Sequence, residues 1–409
     1  MKPLRVLMLV TNLGLGGAQR VFFDHATAFS DFAEVEEAVF KFEAPERIFD
    51  TGLPLRALEL PRLSKAFGPV GRLIGRAFAL RKLVREQGYD VVISHMDGAN
   101  WVNVLSGSRA RKILVVHGTV LQDDNVRGWV QWLRLRFIFP VLYNIGDRTV
   151  AVSEGIAREL QSAGRVRNVE AIPNFFNLTH IQAQARSPLD TGWDEVLARG
   201  NVLITSGRLA KEKQQAHIID IAARLLHCRS DMRLVILGDG PMRETLLSRC
   251  RAADLRVYSS WDLSCQLHQD YDVYFAGYVT NPYQFLARSS LFIFPSAWEG
   301  FPLALCEALA CGVATVSADC PTGPREILAP GTRRDSYDLR VPETAQNGVL
   351  MPLICKPADI DLWSKTVSRL LTDSQERSRL VANGRRSIQK LDRPQIVARW
   401  KRLIAKVVR

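Results

Sequence analysis

The 409-residue chain lacks the marks of a secreted, metal-binding or membrane-spanning protein. Its seven cysteines are scattered between Cys228 and Cys355 without a CxxC pair, so we expect reduced thiols in the cytoplasm rather than disulfides or a zinc site. The first apolar run, residues 6–10, is too short for a signal peptide, and no stretch reaches transmembrane length. We find no Asp-x-Asp with nearby partners and no His pair at ligand spacing, and we therefore predict no metal site.

Acidic residues are in the minority. The chain has 42 Asp and Glu against 54 Lys and Arg, which gives a net charge of +12. This excess favours an anionic partner, such as a phosphorylated substrate or an anionic lipid. Nucleic acid is a further candidate, but the sequence contains no recognition motif for it, and we expect no nucleic-acid partner.

Short apolar runs alternate with helical patterns along both halves of the chain. Such runs are typical of buried parallel strands in α/β sheets. The length is sufficient for two domains, each with its own core, and we place the boundary near residue 185. Residues 252–272 are longer and more polar than their connection requires, so we interpret them as an insertion of unknown role.

A glycine-rich turn, residues 11–20, joins the first predicted strand to a helix. It does not match the dinucleotide fingerprint, because after Gly14 and Gly16 the third glycine should stand where Gln19 is. This mismatch argues against a nucleotide-dependent oxidoreductase. The Gly16 and Gly17 pair would still let the backbone approach a ligand closely, and a plain strand-to-helix turn is the alternative.

Residues 291–328 read as strand, loop, helix and strand. The loop, Trp298-Glu299-Gly300-Phe301-Pro302, leads into a predicted helix at residues 303–310. Free backbone N–H groups and the helix dipole predict an anion site at this point. The amides belong to Gly300, Phe301 and Leu303. A carboxylate beside a bound phosphate is unfavourable, so Glu299 and Glu307 would instead accept hydrogen bonds from sugar hydroxyls.

The stretch resembles the sugar-donor site of glycosyltransferase family 4, whose members have the GT-B fold. The Glu299-x7-Glu307 spacing alone is weak evidence, because two glutamates at this distance occur by chance in most long chains. The whole stretch, including the Pro321-Thr322-Gly323-Pro324-Arg325-Glu326-Ile327-Leu328 segment, is similar to bacterial members that build polysaccharides and glycolipids. An ordinary βαβ unit with a Glu at a helix start is the alternative.

The resemblance implies an α/β protein with two Rossmann-like domains that face each other across a cleft. Residues 1–185 would form the acceptor-side domain, and residues 186–390 would bind the nucleotide sugar. Residues 391–409 would form a last helix that returns to the first domain.

The same resemblance implies the site residues. The catalytic candidates are His117, Glu299, Arg208 and Lys213. The candidates for binding the sugar donor are Gly16, Gly17, Tyr278, Val279, Gly300, Phe301, Leu303 and Glu307. His117 would lie near the donor sugar at a strand end, where His95 is a weaker candidate. Arg208 and Lys213 match two positions that bind the pyrophosphate, but the nearby Lys211 leaves open which lysine points inward.

The implied activity is that of a retaining glycosyltransferase. It would move a hexosyl or N-acetylhexosaminyl group from a nucleotide-diphosphate sugar, expected to be UDP-linked, to a hydroxyl of a glycan or lipid-linked saccharide. The leaving phosphate would take the acceptor proton, and cations and amide dipoles would replace a metal, so we expect no cofactor. The alternatives are a GT-B-fold nucleotide-sugar epimerase or phosphorylase, or a non-catalytic nucleotide-sugar-binding partner subunit.

Two basic stretches in the first half predict contact with an anionic membrane surface. Seven Lys and Arg and no acid occur between Arg62 and Arg85, with apolar residues at helical spacing. Residues 126–143 mix tryptophans and phenylalanines with arginines, as suits a lipid headgroup layer. We therefore expect a peripheral protein on the cytoplasmic face of the inner membrane; the alternative is a solvated basic face with the tryptophans in the core.

Overall fold

The computed structural model describes residues 3–14, 16–41, 49–60, 68–122, 128–190, 192–332 and 339–409. The chain forms two compact units. The first comprises Met1–Phe175 together with Pro394–Arg409, and the second comprises Phe176–Arg393. This division differs from the predicted boundary at residue 185, because the helix Leu178–Ala185 packs on helices of the second unit.

The first unit is built on a seven-stranded parallel sheet. Its strands are β1 (Arg5–Val10), β2 (Glu34–Val39), β3 (Leu55–Ala57), β4 (Val91–His95), β5 (Arg111–Val116), β6 (Arg148–Ala151) and β7 (Val169–Ala171). The strand order is β3-β2-β1-β4-β5-β6-β7. From β1, the strands up to β3 are added on one side and those from β4 to β7 on the other, so the topology switches between β1 and β4. Open α/β sheets bind ligands outside the carboxyl ends of strands at such a point. β4, which ends at His95, borders this point, and His117 follows the neighbouring strand β5.

Helices cover this sheet. They are α1 (Gly17–Phe29), α2 (Gly68–Gln87), α3 (Asp97–Leu105), α4 (Trp129–Leu133), α5 (Glu154–Ser162) and α15 (Arg393–Val408). A π-helical segment, Arg134–Tyr143, continues α4 directly. Most of α15 belongs to this unit, and its fully buried Trp400 packs on the rings of His25 and Phe29.

The second unit contains an eight-stranded sheet. Its strands are β8 (Asn201–Ser206), β9 (Met232–Leu237), β10 (Val257–Ser259), β11 (Val273–Gly277), β12 (Leu291–Phe294), β13 (Ala314–Ala318), β14 (Glu343–Thr344) and β15 (Val349–Met351). The order is β10-β11-β9-β8-β12-β13-β15-β14, and β14 pairs antiparallel with β15. The predicted insertion at residues 252–272 contributes the edge strand β10, which pairs with β11, so part of it belongs to the sheet.

The remaining helices pack on this second sheet. They are α6 (Leu178–Ala185), α7 (Trp193–Ala198), α8 (Gln215–Leu226), α9 (Arg243–Ala252), α10 (Tyr283–Ala287), α11 (Leu303–Cys311), α12 (Pro324–Leu328), α13 (Pro357–Thr372) and α14 (Ser374–Ile388). The fully buried Trp363 of α13 and Phe275 of β11 belong to one apolar core. None of the described helices has both the length and the apolar character needed to cross a membrane.

Candidate functional site

The loops that follow β8, β9 and β11 are held together at the carboxyl edge of the second sheet. The Gly238 N–H donates to the Gly277 carbonyl oxygen at 2.7 Å. A Cβ on Gly238 would lie 2.0 Å from the Gly207 carbonyl oxygen, and Gly238 has a φ of 130°, so only glycine fits there. This packing brings the loops that carry Arg208 and Tyr278 to one edge.

Lys213 and Glu299 form an ion pair at this edge. Lys213 ends a short 3-10 turn, Lys211–Lys213, and its Nζ lies 2.6 Å from Glu299 Oε1. The Glu299 side chain is only 8% exposed. The Ala297 N–H also donates to the Glu212 carbonyl oxygen at 2.8 Å, which joins the two loops through their backbones. The structure thus brings Lys213 to Glu299, whereas Lys211 is exposed.

Arg208 lies on the same loop but is much more accessible. Its side chain is 60% exposed and donates to Glu212 Oε1 at 2.8 Å. Burial alone would raise the pKa of Glu212, but the hydrogen bonds from Arg208 and from the backbone outweigh burial and lower it. An exposed ion pair of this kind contributes little stability, so the guanidinium can exchange Glu212 for an anionic ligand at small cost.

The first turn of α11 follows Glu299. Gly300 and Phe301 are buried, Leu303 is half-buried, and among the described residues no side chain caps this helix. The Thr322 hydroxyl donates to the Glu299 carbonyl oxygen, so the segment after β13 fixes the loop from behind. The amide groups of this turn are therefore held in place beside the Lys213–Glu299 pair.

Glu307 lies one turn further along α11 and is half-buried. Its Oε1 accepts a hydrogen bond from the Tyr283 hydroxyl at 3.1 Å. Tyr283 was not among the predicted site residues. Its position two residues after Asn281 and one after Pro282 gave no signal, because its contact with Glu307 depends on how α10 packs against α11.

Tyr278 and Val279 follow β11, with Tyr278 exposed and Val279 half-buried. The segment after β10 lies against this loop, since a Cβ on Gly277 would meet the Ser260 and Trp261 side chains. Arg243 stacks 4.3 Å above the centre of the Trp261 ring. Trp261 therefore borders the loop predicted to receive the nucleotide base, a position that the sequence analysis did not assign.

The carboxyl edge of the first sheet carries a different cluster. His95 ends β4, His117 follows β5, and His95 Nδ1 lies 2.9 Å from His117 Nε2. Burial lowers the pKa of His117 to about 4 and lowers the pKa of His95 well below its usual value. His25 of α1 packs on His95 with ring centres 5.3 Å apart. Burial, and to a smaller extent the charge of His117, lowers the pKa of His25 to about 3. The three imidazoles are thus neutral near pH 7.

The glycine loop after β1 is arranged around Gln19. Its Nε2 donates to Asn12 Oδ1 at 2.9 Å, and a Cβ on Gly16 would lie 2.3 Å from Gln19 Oε1. Gly17 is exposed at the start of α1. The residue that breaks the dinucleotide fingerprint is therefore the one that occupies the space over Gly16.

Among the described residues, no group of three or more His, Cys, Asp or Glu side chains could hold a metal ion.

The helix predicted to lie on a membrane surface is α2, and its apolar residues divide into two sets. Leu80 lies in the core and the half-buried Leu73 and Leu83 pack against it, contrary to the prediction that all three lie at an interface. A second stripe, spaced four residues apart, is exposed instead: Val70, Ile74 and Phe78. The exposed basic residues of the helix are Arg72, Arg81, Lys82 and Arg85. Arg62 and Lys65 lie outside the described residues.

The second predicted stretch exposes its tryptophans. Trp129 is 75% exposed and Trp132 59% exposed, and with the exposed Phe137 they form a patch that we call the tryptophan surface. The alternative of core tryptophans is therefore wrong here. Phe139 and Arg134, by contrast, are buried, because Arg134 pairs with Asp97 at the start of α3. Val126 and Arg127 lie outside the described residues.

Comparisons with known proteins agree with this architecture. Two family models match, one for glycosyltransferase family 4 over residues 15–180 and one for glycosyl transferases group 1 over residues 195–387. An uncharacterized glycosyltransferase of Methanocaldococcus jannaschii is 25% identical over 354 residues, which is 81% of this chain and 83% of that protein. The N-acetylgalactosamine-N,N'-diacetylbacillosaminyl-diphospho-undecaprenol 4-alpha-N-acetylgalactosaminyltransferase of Campylobacter jejuni is 25% identical over 85% of this chain and 88% of that protein.

Among solved structures, Anabaena Alr3699/HepE in complex with UDP and glucose superposes with a TM-score of 0.74. The two sequences are 18% identical, and the match covers 98% of this chain and 100% of the other. At this identity the likeness shows the fold alone, which is GT-B with two Rossmann-like domains.

Proposed function

Since the chain belongs to glycosyltransferase family 4 and is a glycosyltransferase, we propose that it transfers a hexosyl or N-acetylhexosaminyl group from a UDP-sugar to a lipid-linked saccharide, with retention of configuration. One observation carries the proposal: the Lys213–Glu299 ion pair lies beside the first turn of α11, which no side chain of the described residues caps. A cation, a carboxylate and the backbone amides of a helix start together suit a ligand that is both a diphosphate and a sugar.

Each side chain of this edge has a role in the proposal. Lys213 and Arg208 neutralise the departing diphosphate, together with the amides of Gly300 and Phe301. Glu299 orients the Lys213 ammonium and accepts a hydroxyl of the sugar. Glu307, held by Tyr283, accepts a hydroxyl of the ribose.

The proposed reaction needs no separate base. The acceptor hydroxyl attacks the anomeric carbon on the face from which the phosphate leaves. The bond from that carbon to the phosphate oxygen breaks, the bond to the acceptor oxygen forms, and the leaving phosphate oxygen takes the acceptor proton. His117 binds the sugar, and the fixed charges stabilise the leaving diphosphate without a metal or cofactor, mainly by positioning and electrostatics.

Two comparisons support the choice of substrates. The Campylobacter jejuni relative is named for a diphospho-undecaprenol-linked acceptor, and the Anabaena structure holds UDP. The proposal is tested by incubating the protein with UDP-glucose, UDP-galactose and their N-acetylated forms, with and without a polyprenyl-diphosphate-linked acetamidosugar. We expect acceptor-dependent release of UDP, an α-linked product by NMR, and full activity in EDTA. Release that requires added Mg²⁺, or a β-linked product, would contradict the mechanism.

We further propose that the enzyme acts at the cytoplasmic face of the inner membrane. The support is the tryptophan surface and the exposed stripe of α2, which combine apolar side chains with arginines and lysines. Each basic residue near an anionic surface adds about 1 kcal/mol, and the exposed rings can enter the headgroup layer.

Sedimentation with vesicles tests this attachment. The chain should bind vesicles containing phosphatidylglycerol better than purely zwitterionic ones, and high salt should weaken binding. A Trp129→Ser, Trp132→Ser double variant should bind less, whereas Leu263→Ser, which alters the fully exposed Leu263 of the second unit, should not. Equal and negligible binding to both kinds of vesicle would contradict the membrane proposal.

A further inference from the structure

His95 and His117 are joined by a hydrogen bond at the ends of two neighbouring strands. Strands β4 and β5 run parallel with His95 opposite Val115, so His117 follows just beyond the paired region. His95 Nδ1 and His117 Nε2 are 2.9 Å apart. The ring planes differ by 26° and the ring centres are 5.0 Å apart, so both nitrogens lie close to the line between the rings. A hydrogen bond in the plane of two imidazoles requires this arrangement.

The surroundings of His95 decide which ring gives the proton. His95 is fully buried, and its Nε2 has no hydrogen-bond partner among the described residues. The rings of Phe22 and His25 pack against it, with centres 5.4 Å and 5.3 Å away. A buried N–H without an acceptor is more costly than a buried lone pair without a donor. The single proton of neutral His95 therefore belongs on Nδ1, where it has a partner.

From this geometry we propose that His95 is a positioning residue that fixes the tautomer of His117. His95 donates its Nδ1–H to His117 Nε2, so the proton of neutral His117 is on Nδ1. His117 is half-buried, and its Nε2 is occupied, which leaves Nδ1–H as its group for a ligand. Burial lowers the pKa of both rings, which keeps them neutral near pH 7.

This inference rests on the proposed function and extends it to the sugar. His117 then offers a neutral N–H to an oxygen of the sugar, and it is not a base. Glycosyl transfer develops positive charge at the anomeric carbon. A neutral imidazole can hold a sugar oxygen without opposing that charge, which an imidazolium would do.

The tautomer can be observed directly in the full chain labelled with ¹⁵N-histidine. Long-range ¹H–¹⁵N spectra distinguish the two ring nitrogens, and His117→Gln assigns the signal. We expect His117 to be protonated on Nδ1. His95→Asn keeps an N–H at the Nδ1 position and should preserve this tautomer, whereas His95→Leu should release it. Protonation of His117 on Nε2, or an unchanged tautomer in His95→Leu, would overturn the proposal.

Kinetics provide the second readout, using the UDP-sugar that the chain turns over. His95→Leu should lower kcat/KM about tenfold, as for loss of one neutral hydrogen bond, and His95→Asn should restore most of it. His25→Phe is a matched control, because His25 is equally buried in the same cluster but forms no hydrogen bond with any described residue. Equal losses in His95→Leu and His95→Asn would contradict a role for the N–H. If no UDP-sugar is turned over, the proposed function fails, while the spectra still decide the tautomer.

Discussion

The two carboxyl edges differ in how they hold their polar groups. At the edge of the second unit, Lys213 and Glu299 are paired charges in a poorly exposed place. At the edge of the first unit, His95 and His117 are neutral rings joined by a hydrogen bond. Fixed charge suits a diphosphate, whereas neutral groups suit sugar hydroxyls, so the two edges favour different kinds of ligand group.

The contrast also predicts how each edge responds to substitution. Removing one member of a buried ion pair leaves an uncompensated charge, which typically costs ~3–5 kcal/mol. Removing one member of a neutral pair leaves only an unmet hydrogen bond, at about 1–3 kcal/mol. The second unit should therefore show the largest effects.

Lys213→Ala should have the largest effect on turnover. It removes a cation from the diphosphate and leaves the Glu299 carboxylate without its partner where negative charge accumulates. We expect kcat to fall by roughly 10³-fold, measured as UDP release. Lys211→Ala in the same turn is the matched control, since Lys211 is exposed. A greater loss in Lys211→Ala than in Lys213→Ala would show that the wrong lysine has been assigned.

Arg208→Ala should come next, with kcat lowered by roughly 10²-fold. The effect is smaller because Arg208 is an exposed side chain whose loss leaves Glu212 with water in place of a partner. Thermal unfolding should therefore stay close to wild type while turnover falls. Full activity of this variant would show that Arg208 is not part of the diphosphate site.

Glu307→Gln should mainly raise KM for the UDP-sugar, by about tenfold, with kcat less affected. Tyr283→Phe removes the hydroxyl that donates to Glu307 and should act in the same direction but less strongly. Initial-rate kinetics across a range of UDP-sugar concentrations separate the two constants. Falls in kcat with KM unchanged would place Glu307 at the reacting centre instead of the ribose.

His25→Phe tests the neutral edge through pH and should give the smallest effect. The pKa of His25 is lowered to about 3 in the folded chain, so below pH 6.5 the unfolded state binds a proton that the folded state does not. Stability is therefore lost as pH falls through 6.5, by about 1.4 kcal/mol at pH 5.5 relative to pH 7.5. Thermal unfolding at pH 7.5 and 5.5 should show a smaller difference in the variant. An identical difference would mean that His25 accepts a proton while folded.

Much of this architecture was predictable because it depends on local patterns. The apolar runs mark the central strands, since buried parallel strands need apolar side chains on both faces. The stretch from Leu291 to Leu328 predicted the family, the GT-B fold and the glycosyltransferase activity, and all three are confirmed. The assigned roles of individual residues such as Glu299 stay predictions.

What the sequence did not reveal depends on contacts between distant segments. The units divide before α6 because that helix packs on α10 and α11, which lie about a hundred residues later. β10 escaped detection because an edge strand of three residues carries little pattern. The His95–His117 pair could have been predicted, because His95 ends β4 and His117 directly follows β5, the neighbouring strand of a parallel sheet.

The last helix has a consequence for the order of folding during synthesis. Trp400 fills the core of the first unit against His25 and Phe29, yet the whole second unit lies between these residues in the chain. On the ribosome, the first sheet emerges early but lacks this side chain until α15 has been made, so the apolar surface around His25 stays open meanwhile. The second unit can close from its own contiguous residues, 176–393. The unit that comes first in this sequence is thus the later one to be completed.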